Sequence, residues 1–144
     1  MIRTLASFTM LLIALFIIVG CGGEQRPDGM PRLYPAAITV MQGGSPLAEA
    51  SVVLFPEDSA NERWAPMGTT DASGVAVLRV DGRYEGAPLG TYKVTVSKLE
   101  IIDGPGESRA VQHVPSQYGS LEDSPLRVEI IAGERNYTLE VSRP

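Results

Sequence analysis

Two periodicities divide the chain. From Leu5 to Val19 apolar residues run almost unbroken, interrupted only by Ser7 and Thr9, whereas beyond residue 36 apolar and polar positions alternate with a period of two. As a helix the first run spans about 22 Å at ~1.5 Å per residue. That is short of a ~30 Å hydrocarbon core and suits the apolar centre of a secretion signal. Arg3 places one positive charge ahead of it, and Gly20 supplies the small residue a signal peptidase needs.

The second pattern predicts strands. Ile38 and Val40 share a face over 37–41, and the turn residues 42–46 follow. Ala50, Val52 and Leu54 line one face of the next strand, which Pro56 ends because it has no N–H to donate. Residues 57–66 read as a loop carrying Trp64, the only tryptophan. A short strand over 67–70 enters the turn Asp71-Ala72-Ser73-Gly74, and 75–80 leaves it with Ala76, Leu78 and Val80 on one side. Tyr92, Val94 and Val96 alternate with Thr91, Lys93, Thr95 and Ser97. Leu126, Val128 and Ile130 form another strand. A turn at 132–135 leads into Tyr137, Leu139 and Val141, so the last two strands read as a hairpin.

Seven short strands without a helical period predict an all-β fold, a seven-stranded antiparallel β-sandwich with sequential pairing. An immunoglobulin-like domain is the natural comparison, but the chain has one cysteine and no Cys…Trp…Cys framework. Its core therefore rests on apolar burial. The organisation that follows is a signal over 1–20, a Gly-, Pro- and charge-rich tether over 21–36, and a folded domain over 37–144.

Three segments carry a resemblance. Gly44-Ser-Pro-Leu-Ala-Glu-Ala-Ser-Val-Val-Leu54, Gly68-Thr-Thr-Asp-Ala-Ser-Gly-Val-Ala-Val-Leu78 and Leu89-Gly-Thr-Tyr-Lys-Val-Thr-Val96 resemble the carboxypeptidase regulatory-like domain. Leu89 stands where that family often has proline. The resemblance implies a transthyretin-like (prealbumin-like) sandwich and, because its motifs are structural, no particular activity. The stretch from Val114-Pro-Ser-Gln-Tyr118 to Ser124-Pro-Leu-Arg-Val-Glu-Ile130 resembles small lipoproteins of planctomycete-type bacteria that carry this domain.

Ile18-Val19-Gly20-Cys21 resembles the bacterial lipobox. It implies cleavage before Cys21, a diacylglyceryl group on its thiol, acylation of the new terminus with a fatty acid such as palmitate, and anchoring to the membrane through that lipid. The alternatives are a cysteine in an uncleaved anchor and a free thiol beside an ordinary cleavage site. Either leaves an unpaired thiol in an exported chain that has no second cysteine. Gly22, rather than aspartate, follows Cys21. In a cell with two membranes this favours the outer membrane or cell surface over the inner one.

Charge narrows the partners. Without residues 1–20 the chain keeps 11 basic and 17 acidic residues, a net charge of −6. An acidic chain without a basic run argues against nucleic acid and gives anionic headgroups nothing to attract. The expected partners are the membrane, through Cys21, and an envelope protein or glycan.

Candidate chemistry is sparse. His113 is the only histidine, and no Ser-His-Asp or Cys-His set can be assembled around it. Transthyretin-like enzymes that hydrolyse 5-hydroxyisourate use several histidines and a C-terminal Tyr-Arg-Gly-Ser, whereas this chain ends Val141-Ser-Arg-Pro144. Glu57, Asp58, Glu62, Glu122 and Asp123 lack the alternating spacing of a calcium loop. Asn136 would need a lysine on an early strand for an internal isopeptide, but the only lysines are Lys93 and Lys98. No catalytic, cofactor or metal residue is expected. Residues 99–125 form a long Pro- and Gly-containing stretch holding Tyr118. Two readings stand for it: a floppy or edge-covering loop, or, together with the Trp64 loop, a contact surface with Trp64 and Tyr118 as the candidate contacts. The expected function is a non-enzymatic, membrane-anchored structural or interaction module of the cell envelope, with a carbohydrate- or peptide-binding surface lipoprotein as the alternative.

Overall fold

The computed structural model describes Gly23 and residues 25–144, and the folded unit is Pro31–Pro144. It is an all-β sandwich. The segments expected as strands correspond to β1 (Ala37–Gln42), β3 (Ser51–Pro56), β4 (Pro66–Thr69), β8 (Gly90–Ser97), β11 (Arg127–Ile130) and β12 (Asn136–Val141), while the one over 75–80 is divided into β5 (Val75–Val77) and β6 (Arg79–Val80). Two-residue pieces, β2 (Ser45–Pro46) and β7 (Tyr84–Glu85), extend the sheet edges, and β9 (Leu99–Asp103) and β10 (Ser108–Gln112) complete the described strands. One sheet runs β11-β8-β3-β4-β6-β7. The other runs β12-β1-β2, with β5 also paired to β1.

The alternation read from the sequence is the burial pattern. Ile38, Val40, Val52, Leu54, Leu78, Val94 and Val96 are fully buried, and they meet Tyr92, Ile130 and Val141 in one core between the sheets. Each such aliphatic side chain contributes about 1.5–3 kcal/mol on leaving water. The stretch expected as one strand over 75–80 changes sheets at Leu78. Its N–H donates to Ala36 in one sheet, and its carbonyl accepts from Gly86 on the side of the other. Such a switch closes a corner of a sandwich. Gly68 sits against this corner, where a Cβ would stand 2.7 Å from the Val77 carbonyl oxygen.

Three expectations are corrected. The last two strands are not a hairpin. β11 pairs antiparallel with β8, whereas β12 lies parallel to β1 from Ala37↔Asn136 to Gln42↔Val141. The five residues between them cross from one sheet to the other, and the Arg135 carbonyl already accepts from the Ala37 N–H. The fold also begins before residue 37. Leu33 and Ala36 are buried, and Tyr34 exchanges two backbone hydrogen bonds with Ala87.

Finally, residues 99–125 are not a loop. β9 and β10 form an exposed antiparallel hairpin. The following residues pack down, with Val114 and Ser124 buried and a helical turn, Ser116–Gly119, lying against β8. That cover buries Thr95 on the face of β8 that alternation assigned to solvent.

Candidate functional site

The two aromatic candidates are buried. Trp64 ends a 3₁₀ helix, Ser59–Trp64, whose first turn Asp58 caps by accepting from the Ala60 N–H at 3.0 Å. Its side chain turns inward, leaving the residue 4 % exposed, and the Arg63 guanidinium lies 4.7 Å from its ring centroid. Tyr118 is 8 % exposed. Its hydroxyl donates to Ser142 Oγ at 3.3 Å and accepts from the Ser142 N–H at 3.2 Å. The Ser142 hydroxyl and then its N–H pull the Tyr118 phenol below the ordinary tyrosine range. The expectation of two surface rings is therefore corrected. Both lie in stretches whose composition reads as loop, yet short helical turns fold them inward.

Tyr118 belongs to a small polar knot that fastens the 113–126 segment. Gln42 Nε2 donates to the carbonyls of His113 at 2.8 Å and Ser142 at 3.0 Å. Ser124 Oγ donates to the Val94 carbonyl at 2.5 Å and accepts from the Leu126 N–H at 3.3 Å. Lys93 Nζ donates to the Glu122 carbonyl. These bonds tie the segment to β8 and to the ends of β1 and β12.

The acid-base candidates do not converge. His113 Nε2 is 2.7 Å from Glu100 Oε2, a half-exposed contact at the base of the hairpin. Glu57 is bonded to Arg127, and Asp71 Oδ1 accepts from Ser73 and Val75 within its own turn. Among the described residues no three His, Cys, Asp or Glu side chains gather in a set able to hold a metal ion. Residues 1–20 and Cys21 lie outside the described residues.

What stands out on the surface is the hairpin, which sequence reasoning placed inside a loop. Among the described residues the most exposed large apolar side chains, Leu99 (61 %) and Ile101 (58 %), lie on β9, with Ile102 beside them. The apolar run Leu99-Glu-Ile-Ile was the available signal, and the prolines further on masked it. Among the described residues β9 pairs only with β10.

The direction of its backbone groups follows from two bonds. His113 N–H bonds Lys98 O and Gly104 N–H bonds Glu107 O, both at 2.9 Å. The hydrogen-bonded pairs thus fall at residues 98, 100, 102 and 104. In an antiparallel ladder the intervening Leu99, Ile101 and Asp103 then direct their N–H and C=O outward. Along that side runs an open groove of about 400 Å³ lined by Glu49, Lys98, Leu99, Glu100 and Ile101. It exists because β3 begins only at Ser51, opposite Ser97. Before that, the chain turns away at Glu49, which takes a left-handed φ of 57°. The edge can accept an added strand.

The chain matches no protein-family model, no curated protein and no solved structure.

Proposed function

We propose that this chain is a lipoprotein whose β-sandwich is a non-enzymatic structural or interaction module of the cell envelope, of the carboxypeptidase regulatory-like type, held to the membrane by lipid on Cys21. The observation that carries the module reading is the β9–β10 hairpin. It stands clear of the core, exposes Leu99 and Ile101, and among the described residues keeps one edge unpaired. A free apolar edge is a liability that a solitary domain would blunt with proline, a bulge or inward charge. A module that meets a partner keeps it. The anchoring reading is supported by Ile18-Val19-Gly20-Cys21 behind the apolar run, and by the Gly- and Pro-rich residues that separate it from the fold.

The glycan alternative drew on Trp64 and Tyr118 as stacking surfaces, and buried rings do not provide them. Two experiments test the proposal. Cys21→Ser is expected to move the chain from membrane to soluble fractions and to abolish palmitate labelling; full membrane retention without the thiol overturns the lipid anchor. Crosslinking in intact cells is expected to give adducts that Ile101→Lys removes. Adducts indifferent to that substitution overturn the hairpin as the contact surface.

A further inference from the structure

We propose that the occupant of the β9 edge is a second copy of this chain, its β9 pairing antiparallel with the first about a two-fold axis through Ile101. The proposal rests on the reading of the hairpin as a contact surface and gives that surface a partner.

Side-chain register selects the arrangement. Because Leu99, Ile101 and Asp103 direct their backbone groups outward, only residues of that set can form hydrogen-bonded pairs across the new edge. Centring the axis on Ile101 sets Ile101 opposite Ile101 of the second copy. Since Ala110 stands beside Ile101 within each hairpin, the central row of one face becomes Ala110, Ile101, Ile101, Ala110, apolar throughout. On that face Leu99 meets Asp103 of the second copy, with Gln112 and Ser108 on the outside.

The opposite face is charge-complementary. One row reads Val111, Glu100, then Ile102 and Arg109 of the second copy, so that an anion of one chain and a cation of the other flank an isoleucine. Slipping the register toward the N-terminus by one hydrogen-bonded pair sets Glu100 against Glu100, and like charges directly opposite destabilise. Slipping it the other way sets both Ile101 side chains against Asp103 and breaks the apolar row.

The result is a four-stranded sheet, β10-β9-β9-β10. A lone two-stranded hairpin is marginal in water, and added strands with an apolar face remedy that. Symmetry makes the contact closed and isologous, so pairing stops at two copies. An edge contact of five residues is small, which puts the dimer in the weak, concentration-dependent class.

The test uses the full chain in mild detergent, with Cys21→Ser so that any introduced thiol is the only one. Directly opposite residues of a hydrogen-bonded antiparallel pair have Cα atoms about 5.5 Å apart, within disulfide range. Ile101→Cys is therefore expected to give an oxidised dimer in several-fold excess over Val77→Cys, an exposed control on β5. Sedimentation of the chain without introduced cysteines should show a dimer growing with concentration, and Ile101→Lys should leave a monomer. Equal crosslinking at Ile101 and Val77, or sedimentation unaffected by Ile101→Lys, overturns the proposal. A purified chain that stays monomeric while its adducts in cells still depend on Ile101 would remove the second copy and leave the contact surface standing.

Discussion

The hydroxyl of Tyr92 donates to the carbonyl of Pro88, 2.7 Å away and four residues earlier, inside the core. It closes the corner where the chain enters β8, much as tyrosines do at the turns of other sandwiches. Burial raises the Tyr92 phenol well above its ordinary value of about 10. Above that pH the unfolded chain sheds the proton while the folded chain keeps it. The contribution is thus complete below about pH 10 and is lost as pH rises from there toward the folded value. Equilibrium unfolding followed against pH should show this alkaline loss. Tyr92→Phe should flatten it at a cost of about 1–3 kcal/mol, since the Pro88 carbonyl loses its donor.

Trp64 should behave as core. Trp64→Ala is expected to destabilise by about 3–5 kcal/mol, read from the urea midpoint by circular dichroism. As the only tryptophan it also reports folding in the parent chain: its emission should be blue-shifted when native and move red on unfolding.

Thr70 carries a buried bond that no surface contact can replace. Its Oγ1 accepts from the Ala50 N–H at 2.8 Å, while its own N–H donates to the Ala50 carbonyl. Thr70→Val keeps the shape and orphans the Ala50 donor. A loss of about 1–3 kcal/mol is expected, with an unchanged denaturant slope.

Gly74 is required twice over. It adopts a φ of +76°, and a Cβ there would stand 2.9 Å from both Pro46 Cβ and the Val40 carbonyl oxygen. Gly74→Ala should therefore cost more than left-handed strain alone, which is about 1–3 kcal/mol. The midpoint should fall further than for Gly82→Ala, where φ is also positive but no atom lies near the added methyl.

Period-two alternation revealed which face of each strand is buried, because burial of one face is what creates alternation. It did not reveal partners. Tyr137, Leu139 and Val141 alternate equally well beside β11 or beside β1, and only the crossing of 131–135 decides. Composition misled at Trp64 and Tyr118 because polar and Pro-rich stretches also build the short helical turns that bury them. The edge of β9 was illegible for a related reason. It depends on where β3 stops, a property of neighbouring strands rather than of residues 99–103. Cys21 lies outside the described residues, and its reading rests on the lipobox resemblance alone.

The parallel pairing of β1 and β12 has a mechanical consequence. A pull that enters at Ala37 and leaves at Val141 runs lengthwise along two strands lying side by side and pointing the same way. They cannot peel apart one rung at a time. All six facing pairs are loaded together and must slide past each other before either strand gives way.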